Sequence, residues 1–449
     1  MSDSQDFAAY ILDNNCPVAS LDAKEAFDGL SHGQASFAYH MCRASWEGAK
    51  ICLLQASVES PILFTMFKSI YEAFEVQQIN QVARESFGFS EGDIEAFHTY
   101  VSSFFNNMGN YLSFGDTKFV PNVDKTKFSC LCHYFIDRLS NIRGDIRDEL
   151  KNQRWQDLVF DLENPRLRQL GMKPEGVSCY YSSDVTKEDA SFVQEFMKDH
   201  KISPFNTRLF KSKDSSGDKT KYTLRVASAE GSLRNDDLVE EKPGADDFET
   251  KIDDIETSES NVCLPPQEGS HEFKGSIIDV ACGDYAPMMA RVITHLRHAR
   301  EFAETENEVN FLTAYVKAFR TGSTPAHMAG SRYWVKNKGP IVENYIGFIE
   351  TYRDPMGFRG EWEGFVAVVN KKLSEKFGQL VSEAEKLLPC LPWPSTLEKD
   401  EFLQPDFTSL DVLAFGSSML PIGINIPVSI GLDNLCELCC LEGDALVIL

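Results

Sequence analysis

The chain has 449 residues, enough for two domains or for one large domain with an intruding lobe. Hydrophobic residues make up 43% of it and charged residues 25%, an ordinary balance for a globular protein that can bury a sizeable core. A formal net charge of −24 excludes nucleic acids and anionic membrane surfaces as main partners, because both need clustered Lys and Arg.

The N-terminus, Met1 to Asp6, is acidic and polar and lacks the basic start and apolar stretch of a secretory signal. No apolar run reaches the roughly 18 residues of a membrane span, so the chain reads as cytoplasmic. Its twelve cysteines are then expected to be reduced thiols. Phe37, Met41, Ala44, Gly48 and Cys52 recur at spacings of three and four, the stripe of an amphipathic helix. Ser90-Glu91-Gly92-Asp93 reads as a helix start before Ile94, Phe97 and Val101. Residues 110–119 have no helical period and read as an ordered loop rich in aromatics. Cys130 and Cys132 have no second pair at finger-like spacing and read as buried or half-buried thiols.

Tyr222, Leu224 and Val226 alternate as a short strand. From Glu230 to Ser260, Asp and Glu far outnumber Lys and Arg, so a mobile, solvated surface insertion is expected. Helices resume after Pro287, with the stripe Met289, Val292, Leu296, Ala299 and Ala303, then Leu312, Tyr315 and Phe319 ended by Gly322. His295 and His298 are spaced to share a metal, but no zincin-like Glu follows, so surface histidines are expected. From Ser331 the pattern reads as extended, with a strand over 341–352 closed by Arg353-Asp354-Pro355. A helix is expected from about Phe365 to Leu388, with Val366, Val369, Leu373, Phe377 and Leu380 on one face, stopped by Pro389, Pro392 and Pro394. A last strand lies near 422–427. Cys436, Cys439 and Cys440 lie in an apolar tail with no convincing metal pattern.

Several strings resemble, in the same order, the dipeptidyl peptidase III family. They are Asn107-Met108-Gly109-Asn110-Tyr111, Ser113 to Asn122 (SFGDTKFVPN) and Phe205 to Lys211 (FNTRLFK). The most specific is Lys338 to Glu350 (KGPIVENYIGFIE), followed by Pro405 to Leu413 and Gly423-Ile424-Asn425-Ile426-Pro427. The resemblance covers about residues 20 to 427. It implies an α+β fold of two lobes: a lower lobe of helices around a small, mainly β core, and a helical upper lobe that is incomplete here. Residues 1–363 would form the lower lobe with the acidic insertion at 230–260. Residues 364–401 would enter the upper lobe, 402–427 would return, and 428–449 would be a divergent Cys-rich tail.

The family's zinc is held by a His-Glu followed after three residues by a second His, with a further Glu on a neighbouring helix. Two imidazoles and a carboxylate bind the metal there, and the Glu beside the first His activates its water. Here the only His-Glu is His271-Glu272, followed by Phe273-Lys274-Gly275-Ser276 with no second His in place. No metal ligand or catalytic residue is therefore assigned and no cofactor is expected in this chain, zinc belonging to the full-length family. The abrupt change after Pro427 reads as an alternative exon, a read-through into an intron or an incorrectly assembled gene.

The resemblance also implies which residues hold substrate, a short peptide with a free N-terminus. Extended peptide advances roughly 3.3–3.6 Å per residue, so an anion about 7 Å from the scissile bond measures out a dipeptide. Glu343 is placed at the subsite for the terminal ammonium, and a carboxylate in an apolar strand needs a partner. Tyr345 lies two positions on, hence on the same strand face. Asn425 matches a residue that hydrogen-bonds substrate backbone, Gly423 and Ile424 belong to the edge that receives the peptide as an added strand, and Phe114 and Trp334 line the cleft or pack in the core. The expectation is a substrate-binding chain inactive alone. The alternative is a non-catalytic interaction protein that uses the acidic insertion or the apolar tail.

Overall fold

The stripe Phe37, Met41, Ala44, Gly48 and Cys52 is buried from end to end, and the helix that carries it organises the fold. The computed structural model describes residues 7–16, 21–140, 142–152, 154–214, 217, 219–235, 243–249, 263–397, 406–419, 423–425 and 445–448. After the short α1 (Lys24–Asp28), α2 (His32–Ala56) opens with a capping box between Ser31 and Gln34 and runs for about 37 Å. Helices α3 (Ser60–Ala73), α4 (Val76–Phe87), α5 (Glu91–Asn107), α6 (Lys125–Ile136), α7 (Gly144–Asn152) and α8 (Trp155–Phe160) follow it. The start expected at Ser90 is the α5 capping box with Asp93.

Helix α9 (Lys187–Asp199) leads to a four-stranded sheet of β1 (Thr207–Lys213), β2 (Thr220–Ala227), β3 (Gly269–Phe273) and β4 (Ser276–Asp284). Its order is β1-β2-β4-β3, with only β2 and β4 parallel. Val193, Phe196 and Met197 of α9 close one face over Leu209, Leu224, Ile278 and Val280, making a second core. Helices α10 (Ala286–Arg300), α11 (Glu306–Thr321) and α12 (Thr324–Lys336) come next, and α11 ends as expected at Gly322, whose φ of +79° suits a residue without a Cβ.

A second sheet contains β5 (Val342–Phe348), β6 (Trp362–Val369), β7 (Asp406–Phe415), β8 (Gly423–Asn425) and β9 (Ala445–Ile448), ordered β5-β6-β7-β9-β8. Between β6 and β7 stand α13 (Lys371–Ser382) and α14 (Ala384–Leu387). Helix α2 packs against α10 on one side and β6 on the other. The approach is close enough that a Cβ added to Gly48 would fall 2.0 Å from the Trp362 ring. One added to Gly364 would fall 2.7 Å from Ser45 Cα. Ser45 Oγ donates to the Gly364 carbonyl and accepts from the Gly416 N–H at 3.0 Å, tying α2 to both strands.

Three expectations are corrected. Residues 362–369 form a strand, not the first turns of a helix from Phe365; the helix begins at Lys371, where Asn370 Oδ1 accepts from Leu373 N at 3.0 Å. That places the expected lobe boundary at 364 inside β6. Residues 331–336 are helical rather than extended, because α12 starts from the Ser323 cap and continues through them against α11. The strand expected over 341–352 ends at Phe348, while Asp354 makes the expected turn by accepting N–H groups from Met356, Phe358 and Arg359. Cys436, Cys439 and Cys440 and most of the 230–260 insertion lie outside the described residues.

Candidate functional site

Strand β5 alternates between two faces. Val342, Ile346 and Phe348 join the main helical core, and Glu343 and Tyr345 point the other way. Antiparallel pairing sets Ala367 opposite Glu343, Phe365 opposite Tyr345 and Glu363 opposite Gly347. The rings of Tyr345 and Phe365 stack with centroids 5.2 Å apart, and Tyr345 Oη donates to Glu363 Oε2 at 3.3 Å. Helix α12 delivers Trp334, whose Nε1 donates to Glu343 Oε1 at 3.1 Å. The backbone N–H of Asn344 donates to the same oxygen at 2.9 Å. Two N–H groups converging on one oxygen fix the direction of the carboxylate.

Past Tyr345 lies a cluster of carboxyls that sequence reading missed. Burial, then the neighbouring Glu361 and Glu350, push Glu363 up to about 8, so it is mostly protonated at neutral pH. Burial also raises Glu361, against the pull of Arg353, whose Nε lies 3.5 Å from Glu361 Oε1. Burial raises Glu350 as well. The available signal was the string Glu361-Trp362-Glu363: one carboxyl just before an otherwise apolar strand and one within it, the same anomaly that singled out Glu343.

Arg353 links this cluster to the aromatic loop. Its Nη2 donates to the carbonyls of Asn107 at 3.3 Å and Tyr111 at 3.4 Å. The loop is ordered, as expected, and anchored by buried Asn110, which accepts from Ser57 Oγ at 2.9 Å and donates to Glu59 Oε1 at 2.7 Å. Lys118, also buried, donates to the Leu158 carbonyl at 2.6 Å. At the tip Phe114 is 85% exposed and takes no part in the core.

The structure thus brings Trp334, Glu343 and Tyr345 together and sets the Phe114 loop beside the carboxyl cluster. Gly423, Ile424 and Asn425 form β8, which pairs antiparallel with β9 at the opposite edge of the sheet from β5. They do not lie on a strand next to Glu343. Of the histidines expected at the surface, His298 is exposed, but His295 is half-buried with Nδ1 3.4 Å from His40 Nδ1. Burial and the charge of Arg43 hold the His295 imidazole down at about 4. Cys132 is buried as expected, whereas Cys130 is exposed.

Residues 151–432 match Peptidase family M49. The chain belongs to peptidase family M49. It is 44% identical over 426 residues to dipeptidyl peptidase 3 of Nematostella vectensis, covering 94% of this chain and 55% of that protein. Against dipeptidyl peptidase 3 of Homo sapiens the identity is 44% over 430 residues, with 95% and 53% covered. The chain therefore spans about half the length of the curated relatives it matches. The solved structure of DPP III from Caldithrix abyssi aligns with 97% of this chain and 58% of that one, with a TM-score of 0.51 and 12% identity, a likeness of fold.

Among the described residues no group of three or more His, Cys, Asp or Glu side chains is arranged to hold a metal ion. His271 and Glu272 lie on β3, where the His271 ring meets Phe196 and His200 and Glu272 pairs with Lys219 at 2.6 Å. Nor is any helix among the described residues long and apolar enough to cross a membrane.

Proposed function

We propose that this chain is the substrate-holding part of a dipeptidyl peptidase III-like zinc peptidase, a cytoplasmic protein that binds short peptides by their free amino terminus and does not hydrolyse them alone. The observation that carries the reading is the Glu343 carboxylate, aimed by Trp334 Nε1 and the Asn344 N–H. A terminal ammonium meeting it forms a charge-assisted hydrogen bond. Tyr345 continues the same face, and Trp334 and Phe114 wall the cleft; Gly423, Ile424 and Asn425, at the far edge of the sheet from β5, offer a separate edge strand for extended peptide. In this reading the body from the N-terminus through β6, with β7 and β8, is the lower lobe, and α13 and α14 begin the upper one. Two features support that division: neither helix has a buried side chain, and Leu373, Leu380, Leu387 and Trp393 are exposed. The half of the relatives that this chain does not span would cover them.

Titrating short free and N-acetylated peptides against the chain and its Glu343→Gln variant tests the anchor. The ammonium contact is worth about 1.5–3 kcal/mol, so Glu343→Gln weakens the free peptide by about ten- to a hundredfold and leaves the acetylated one unchanged. Equal affinity of the unmutated chain for free and acetylated peptide removes Glu343 from this role. Chelator-sensitive dipeptide release by the purified chain would overturn the expected inactivity.

A further inference from the structure

The sequence presents the acidic stretch from Glu230 to Ser260 as solvated, yet one described part of it, residues 243–249, is docked. Asp246 Oδ2 pairs with Arg300 Nη2 at 2.6 Å and Arg297 Nε at 3.2 Å. Glu249, its side chain only 4% exposed, pairs through Oε2 with Arg320 Nη2 at 2.7 Å, and its Oε1 lies 3.5 Å from Arg297 Nη2. Arg297 Nη2 also donates to the carbonyls of Pro243, at 2.7 Å, and Gly244. The Phe248 ring covers the Arg300 guanidinium, whose Cζ lies 4.2 Å from the ring centre.

The docked segment shapes itself. The Glu249 N–H donates to the Asp246 carbonyl at 3.1 Å, and the Phe248 N–H donates to Asp246 Oδ1 at 3.1 Å. One turn therefore presents two carboxylates three residues apart to a fixed receptor. Arg297 and Arg300 come from the last turn of α10 and Arg320 from the last turn of α11. Glu230 also pairs with Arg320, at 2.8 Å. Without Asp246 and Glu249, the three arginines would face, among the described residues, the Glu230 carboxylate, a cationic spot on a chain of net charge −24.

We propose that the Arg297, Arg300 and Arg320 cradle is a docking site for an acidic peptide segment of a partner protein, with Asp-x-x-Glu spacing, and that residues 243–249 hold it closed in cis. Planar guanidinium groups that grip carboxylates two at a time recognise such a segment by geometry as well as by charge. The cis segment reduces the apparent affinity for a partner to the intrinsic affinity multiplied by the fraction of time the cradle stands open.

The test uses a fluorescent peptide of sequence Pro-Gly-Ala-Asp-Asp-Phe-Glu with an amidated C-terminus. It is titrated against the full chain and its Asp246→Asn/Glu249→Gln variant. The variant is expected to bind it at least about tenfold more tightly than the unmutated chain, and adding Arg300→Ala and Arg320→Ala is expected to abolish that binding. Equal affinity in unmutated chain and variant, or binding that survives loss of both arginines, overturns the proposal. A second measurement does not depend on the variant folding. On the unmutated chain, saturating peptide is expected to speed amide hydrogen exchange at residues 244–249 by at least about tenfold, and unchanged exchange overturns the proposal equally.

Discussion

Replacing Glu363 by Gln isolates one buried carboxyl and turns its environment into a measurable slope. In the folded chain Glu363 titrates near 8 instead of near the ordinary 4.5, because burial and the neighbouring Glu361 and Glu350 disfavour its charge. A carboxyl raised in this way gives stability that is fully present below the unfolded value and is lost as pH rises through the folded value. The full loss is about 5 kcal/mol, at about 1.4 kcal/mol per pH unit in the window between. From about pH 5.5 to about pH 7.5 the unmutated chain therefore loses about 2–3 kcal/mol through this group, and Glu363→Gln does not. Gln retains an acceptor for Tyr345 Oη and has nearly the same volume. Urea unfolding of both proteins at those two pH values gives the difference, the carboxyls outside the cluster of Glu350, Glu361 and Glu363 cancelling between them. Stability curves that run parallel across the window would show that Glu363 is ionised or solvated in the folded chain, and the account of the cluster would fail.

Gly48→Ala sets a methyl group into the Trp362 ring and is expected to destabilise by about 1–3 kcal/mol, read as a lower urea midpoint at unchanged slope. Asn110→Ala removes the amide that donates to buried Glu59, with an expected loss of about 2–4 kcal/mol. Limited proteolysis should then cut within residues 110–119, which the same side chain anchors; a loop that stays resistant would show that Arg353 and Lys118 hold it without Asn110.

Where one face of an element was buried and the other wet, its period could be read. Helix α2 shows this, as do the start at Ser90 and the stop at Gly322, each a local chemical signal. Strand β6 could not be read that way. Every residue from Trp362 to Val368 is buried, so the run has no alternation, and Val366, Val369 and Leu373 happen to match helical spacing across the Asn370 cap. Residues 331–336 have strand-like composition, but packing against α11 overrides local preference. At the site, Glu343 was conspicuous as a carboxylate in an apolar strand, while Glu361 and Glu363 fell in the unassigned run between the turn at Arg353-Asp354-Pro355 and the helix expected from Phe365. The arginine cradle was invisible because Arg320 stands twenty or more positions from Arg297 and Arg300 and meets them only when α10 and α11 pack side by side.

The seam between α2 and β6 also bears on how the chain is made. Ser45 and Gly364 are 319 residues apart in sequence, yet they are hydrogen-bonded. At about 5–20 residues per second, a ribosome needs roughly 16–64 seconds to travel from one to the other. For that interval the stripe of Phe37, Met41, Ala44 and Cys52 has been synthesised and the strand that covers it has not. A nascent chain in this state carries an apolar helix face with no native partner on the β6 side, and contacts closed over so long a loop form late. The residues that make this helix the centre of the finished protein also make it the segment most in need of a holdase during synthesis.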